Sequence, residues 1–307
     1  MSHMSGATRC ARARRNDRRG ASRGRFAVAV VTAALALLLA SCSSSHTVSP
    51  TTITPPSSVA NYNGPGWILS FDAFLELIND PAAKLMFDNP KTFVIVSSAD
   101  AGALKGWKVT LVVDFKSYAL MEHAFATGGI PTGVSAIMYD NEDWSYTPAP
   151  EQLQPAHYEQ LAAELIHSHG LKFLATPGAD LSKVLDSNGT GNQYQRYLSL
   201  DLAGEAAKYA DILNIQAQGE EGDATAYARF LTSAIAKARA ANPNIVIYAG
   251  ISTARSSDPN AMFNAVQATK SQVTGYWLNV ITSTGGAAAV TLAENFVNSV
   301  ASSLHLN

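Results

Sequence analysis

Cysteine is almost absent from this chain. Cys10 and Cys42 are the only two, and residues 43–307 have none. That excludes a disulfide framework, a cysteine metal site and a cysteine nucleophile from most of the chain, so the fold must stand on its core. Familiar motifs are missing too. No Gly-x-Gly-x-x-Gly or phosphate-binding loop follows any strand-like run, which argues against a doubly wound nucleotide-binding sheet. His-Glu-x-x-His and Gly-x-Ser-x-Gly are absent, so the zinc-protease and serine-hydrolase signatures are lacking. His167 and His169 lie two apart at a helix end and diverge. No metal and no cofactor is therefore expected. Basic residues are scarce beyond position 41. The first 41 residues hold 8 of 22 basic residues and only Asp17 of 24 acidic ones, leaving 14 against 23, a net of −9. Such an acidic surface argues against a nucleic-acid partner.

The N-terminus reads as an address. Eight arginines between Arg9 and Arg25 precede an unbroken apolar and small-residue run, Phe26 to Ala40. Fifteen residues are too few for a comfortable membrane span and suit the apolar core of a signal peptide. The run ends in Leu39-Ala40-Ser41-Cys42, which resembles a bacterial lipobox. The resemblance implies cleavage after residue 41, lipidation of Cys42, and anchoring at the extracytoplasmic face of the bacterial cell membrane. Residues 42–60 then form a tether. Of residues 43–60, thirteen are Ser, Thr or Pro and none is charged. A segment of this kind buries too little apolar surface to offset its ordering entropy.

Residues 61–307 have the size of a single (β/α)8 TIM barrel domain. Eight runs rich in β-branched and aromatic residues read as strands: Trp67–Phe71, Thr92–Ser97, Lys108–Asp114, Val134–Asp140, Leu171–Thr176, Ile212–Gln218, Ile245–Ser252 and Gly275–Val280. The first is the weakest, being short and polar-flanked. Helical patterns fill the gaps. Pro155 to His169 carries apolar residues at helical spacing and is followed by Gly170, while Thr225 to Ala241 is stopped by Asn242-Pro243. Asp258–Ser271 and Val290–Leu304 read likewise. Strands alternating with helices imply parallel strands joined by crossover helices.

In such a barrel the chemistry gathers at the C-terminal ends of the strands. The most informative stretch runs from Gly133 to Trp144, where an apolar strand ends abruptly in acids and an aromatic. Strand alternation points Asp140 and Glu142 one way and Asn141 the other. The shared bowl is expected to hold Asp114, Asp140, Glu142, Asp143 and Trp144. From later strands it should receive Gln216, Gln218, Tyr248, Trp277 and Asn279. Acids and amides hydrogen-bond hydroxyls, and aromatic rings stack on the apolar faces of sugars, so the bowl suits a carbohydrate. Glycoside hydrolysis needs paired carboxylates, yet the seventh strand has no acid and the sixth offers only amides. The strand-four pair is what remains. One known solution uses neighbouring strand-four acids with the substrate's own acetamido group as nucleophile; Glu142 would then protonate the leaving oxygen, while Asp140 would orient the acetamide and raise the Glu142 pKa by like-charge proximity.

On these residues the chain resembles the family 18 chitinase-like glycoside hydrolases, whose strand-four signature is Asp-x-x-Asp-x-Asp-x-Glu. Aligned on Glu142, the positions here are Ser135, Met138, Asp140 and Glu142, of which the last two match. Trp277 matches the tryptophan of that family's last strand, and Gln216 and Gln218 stand where it has a Tyr-Asp pair. The resemblance implies a barrel with Asp140 and Glu142 as the acid pair. The run from Tyr139 to Pro148, His169-Gly170-Leu171 and the run from Gln216 to Gly219 are also similar to a group of secreted actinobacterial barrel proteins. The expectation is an envelope lipoprotein whose barrel acts on an extracellular or cell-wall glycan. The rivals are a barrel that binds glycan without cleaving it and a structural envelope protein.

Overall fold

The computed structural model describes residues 53–56 and 62–306. The signal segment, Cys42 and most of the tether lie outside the described residues. Eight strands form a closed parallel barrel in sequence order: β1 (Gly66–Ser70), β2 (Thr92–Ile95), β3 (Thr110–Phe115), β4 (Val134–Tyr139), β5 (Lys172–Ala175), β6 (Ile212–Ile215), β7 (Val246–Ser252) and β8 (Gly275–Asn279). β1 pairs with β8 through Gly66↔Gly275 to Ile68↔Trp277 and so closes the ring. The weak first run is thus a full member. The outer layer comprises α1 (Phe71–Leu77), α2 (Pro81–Phe87), α3 (Tyr118–Ala126), α4 (Ala149–Leu153), α5 (Pro155–Ser168), α6 (Leu181–Leu185), α7 (Gln193–Ser199), α8 (Leu202–Ala207), α9 (Ala224–Ala241), α10 (Pro259–Thr269) and α11 (Thr282–Ser303). The fold is a single-domain (β/α)8 barrel.

Local chemistry sets the helix starts. Asp80 accepts from the Ala82 and Ala83 amides at 2.7 and 3.1 Å, with Pro81 opening α2. Asp223 caps α9 and Asp258 caps α10, again ahead of a proline in the second case. α11 begins eight residues before the Val290 start that the sequence predicts, and its backbone departs from helical geometry at Gly286, where φ is 53°.

Alternate strand residues face two apolar zones. Outward, Trp67 is fully buried and meets Phe87 edge-on at 5.7 Å and Phe296 at 6.2 Å. Inward, Ile68, Phe93, Val112, Ala136, Met138, Leu174 and Ile212 fill the barrel. Tyr248 belongs to this inner plug and not to the bowl. Its hydroxyl donates to the Lys91 carbonyl at 2.6 Å, at the N-terminal end of the barrel, and its ring meets Phe93 at 5.6 Å. The expectation that Tyr248 contacts sugar is therefore corrected. Alternation gave its face correctly, but it enters one end of the barrel and the bowl lies at the other.

Two glycines make room for that ring. A Cβ on Gly66 would lie 2.5 Å from the Tyr248 hydroxyl, and one on Gly275 would lie 2.2 Å from the Gly66 carbonyl oxygen. The second neighbour is backbone and cannot swing aside. Gly275→Ala is expected to cost about 2–3 kcal/mol by overpacking, read as a lower midpoint in urea unfolding; an unchanged midpoint would refute this packing.

The segment Ile53–Pro56, assigned above to the tether, lies against the barrel. Trp107 donates its indole N–H to the Ile53 carbonyl at 2.9 Å, and the Ile53 amide bonds the Ala103 carbonyl at 3.2 Å. A free spacer is thus corrected at Ile53. No helix among the described residues is long and apolar enough to cross a membrane.

Candidate active site

The bowl at the strand ends is a cavity of about 670 Å³. Asp114, Asp140, Glu142, Trp144, Gln216 and Gln218 line it, with Trp277 and Asn279 on the side of β8. The site residues expected from the sequence meet there except Tyr248, described above, and Asp143. Asp143, also expected in the bowl, is exposed and outside the cavity lining. Its backbone amide donates to Asp180 at 3.1 Å.

β4 delivers the acids as alternation requires. Asn141 turns outward and donates to the Glu151 carbonyl at 3.0 Å. The Glu151 carboxylate in turn accepts from Ser117, from the Tyr118 amide and from the Tyr139 hydroxyl, at 2.7 to 2.9 Å. This buried carboxylate ties α4, the start of α3 and β4 together and so holds the strand-four loop in place. Asp140 and Glu142 turn inward. One amide joins them: Gln216 Nε2 lies 3.0 Å from Asp140 Oδ1 and 2.7 Å from Glu142 Oε1. The strand-six amide thus converges on the strand-four acids.

Sequence reasoning missed Lys116. Its ammonium lies 2.6 Å from Asp140 Oδ2, bonds Asp114 Oδ2, and sits 5.1 Å from the centre of the Trp144 ring. It stands two residues beyond Asp114, so the alternation that placed Asp114 in the bowl also pointed to it. Trp144 therefore has one face taken by a cation, and its indole N–H donates to Thr147 at 2.7 Å. Asp180, Lys183 and Arg255 also line the cavity and were not anticipated.

Burial dominates the electrostatics. It pushes the Asp140 carboxyl well above its ordinary range; Lys116 pulls it back, while Asp114 and Glu142 push it further up. Glu142 is raised chiefly by burial. The Gln216 hydrogen bond lowers it, the Asp180 charge raises it, and the Lys116 charge lowers it. Like-charge repulsion between Asp140 and Glu142 thus raises the Asp140 carboxyl, while burial, with added repulsion from Asp180, raises Glu142. For Lys116, burial acts downward, but Asp140 and Asp114 more than offset it and hold the ammonium charged. It is no neutral amine nucleophile at neutral pH.

Deeper in the bowl, Trp277 is 8% exposed and pairs across the sheet with Gly250. Gly250 also receives Gln218: a Cβ there would lie 2.3 Å from the Gln218 amide carbon. Glu221, fully buried, accepts from the Ser252 amide at 3.0 Å and from the Gly219 amide, joining the loop after β6 to the end of β7.

Fold and site together define the class: a (β/α)8 barrel with a polar, acid-rich, tryptophan-lined bowl. No protein-family model matches the chain, and no curated protein sequence matches it. Among solved structures it is similar to a curdlan-specific exo-β-1,3-glucanase of family 128, subgroup III, from Blastomyces gilchristii in complex with glucose. That similarity has 13% identity, 77% of this chain and 97% of that chain covered, and a TM-score of 0.47. Triosephosphate isomerase from Bartonella henselae is similar at 12% identity, with 76% and 98% coverage and a TM-score of 0.44. A family 17 β-1,3-glucanosyltransferase from Rhizomucor miehei is similar at 12% identity, with 75% and 90% coverage and a TM-score of 0.44. Glycoside hydrolase barrels thus stand among the neighbours beside barrels of other chemistries.

Proposed function

We propose that this barrel acts on a glycan, with Glu142 as the general acid and Asp140 as its partner. One observation carries the reading: a single amide, Gln216, bridges the buried Asp140 carboxyl and the half-buried Glu142 carboxyl at the mouth of a cavity walled by Trp144 and Trp277. Glu142 has one oxygen engaged by Gln216, and its raised pKa suits proton delivery to a leaving oxygen. Asp140 has both oxygens engaged, by Gln216 and Lys116. That favours an orienting role over attack at carbon, which agrees with a substrate acetamido group as nucleophile. Gln216, Gln218, Asn279 and Asp114 supply hydrogen bonds to hydroxyls, and Trp144 and Trp277 supply apolar surface.

The Lys116 clamp also supports a second reading, a barrel that binds glycan without cleaving it. Both readings require the bowl to hold sugar. Trp277→Leu, which keeps most of the apolar volume, is expected to weaken binding of cell-wall or chitin-type oligosaccharides at least tenfold, roughly the 1–3 kcal/mol that aromatic contact surface contributes. Titration calorimetry beside a thermal melt would check it. Unchanged affinity would leave the bowl without a role in sugar binding.

We further propose that Cys42 carries lipid and holds the barrel outside the cell membrane. The support is the arginine-rich start, the Phe26–Ala40 run and the Cys that ends it. Cys42→Ala is expected to move the protein from the detergent phase to the aqueous phase on Triton X-114 partitioning; continued detergent partitioning would count against the anchor.

A further inference from the structure

A second cavity, of about 430 Å³, lies outside the barrel. Leu153, Pro155, Leu185, Leu200 and Leu202 make its walls, drawn from α4 and α5, from α6, and from the start of α8 with the residue two before it. It shares no lining residue with the bowl. Such a wall repels water and suits a hydrocarbon body.

Gln154, His157, Glu159 and Glu205 also line it, and of these four only Glu159 is buried. Glu159, on the inner face of α5, is 1% exposed, and neither carboxyl oxygen has a hydrogen-bond partner in the protein. No basic side chain pairs with it among the described ion pairs. An unpaired buried carboxyl is costly. Burial alone raises its pKa, to about 8, with no compensating hydrogen bond. Glu205 supplies a second carboxylate to the same lining, where it is bonded at 2.6 Å by Lys208. Apolar walls with a carboxyl at the floor and another in the lining complement one ligand chemistry: a hydrocarbon body that ends in an amine.

We propose that this cleft is a binding site for a small apolar primary amine, with the ammonium on Glu159 and the hydrocarbon among Leu153, Leu185, Leu200 and Leu202. An ammonium brings three donors to a carboxylate that has none, and pairing it with a cation offsets the burial of the charge. An alcohol would fill the same walls but bring no charge. A fatty acid would set a second carboxylate against the first.

The test is an NMR titration of the full chain at pH 9, where Glu159 is ionised and hexylamine still carries its proton, with n-hexylamine, n-hexanol and hexanoate as probes. Hexylamine is expected to give saturable shifts at residues of α5, α6 and α8. Hexanol should bind at least tenfold more weakly and hexanoate not at all. Glu159→Gln keeps the shape and removes the charge. It should weaken hexylamine at least tenfold while leaving the thermal midpoint near or above that of the wild type. Leu185→Trp fills the apolar end and should abolish binding with Glu159 intact, which separates loss of the site from loss of the fold. Equal affinity for hexanol and hexylamine, full affinity in Glu159→Gln, or no saturable shifts with any probe would each overturn the proposal. In that last case the carboxyl serves only to hold water.

Discussion

Lys116→Met is expected to destabilise the protein by about 3 kcal/mol at neutral pH, although it removes one partly exposed side chain. The reason is what the lysine leaves behind. Asp140 and Asp114 have side chains only 2% and 11% exposed, and Lys116 is the cation bonded to both. Breaking a buried pair by removing one partner costs about 3–5 kcal/mol, because the remaining charge has lost its counterion. The lower end applies here, since each carboxyl can take up a proton instead. That gives the pH dependence its sign. Without Lys116, burial and mutual repulsion raise Asp140 and Asp114 further above their unfolded values. A carboxyl raised in the folded state favours folding at low pH and loses that advantage as pH rises through its folded pKa. The variant should therefore lie closest to wild type in acid and fall furthest behind at neutral pH and above. Urea unfolding at several pH values would read this. A deficit under about 1 kcal/mol, or one that is flat with pH, would mean that water screens the pair as it does at a surface.

Glu142→Gln should have the largest effect on chemistry. The substitution keeps the shape and the contact with Gln216 but removes the transferable proton. Loss of a positioned general acid lowers turnover by about 10²–10⁴-fold, while sugar affinity should stay within a few-fold. Wild-type turnover needs the protonated carboxyl. Because burial raises its pKa, the acid form persists above the ordinary carboxylate range, and the rate should fall as pH rises through that raised value. The variant should lack this limb. Single-turnover rates across pH, with affinities measured in parallel, would separate a lost proton donor from a damaged pocket. Equal rates in wild type and variant would remove Glu142 from the acid role.

Much of this was legible in the chain because alternation is a strong signal. From Ala136 to Tyr139 the strand is buried on both faces, and its continuation could place Asp140 and Glu142 inside and Asn141 outside from spacing alone. The barrel followed from eight strand-like runs with helices between, even though β1 offered only five residues. Depth was not legible. Tyr248 and Gln216 both point inward, but the tyrosine reaches down to the Lys91 carbonyl while the glutamine reaches up to the acids. Period-two patterns carry a face and no height along the barrel axis. Pairing across strands was hidden for a different reason. Lys116 meets Asp140, 24 positions away, and Glu142 feels Asp180, which follows β5. Those partners depend on strand register, and no local pattern encodes it. Glu159 shows the same limit from the other side: its helical position marks it as inward-facing, but its lack of any partner is visible only once α5 is packed.

The most direct test of the glycan reading is a crystal structure of Glu142→Gln soaked with a chito-oligosaccharide. The account predicts a sugar ring against Trp277, with a glycosidic oxygen within about 3 Å of the residue-142 side chain, the reach of a general acid, and an acetamido group beside Asp140. An oligosaccharide bound elsewhere on the barrel, or a bowl that stays empty at saturating sugar, would contradict it.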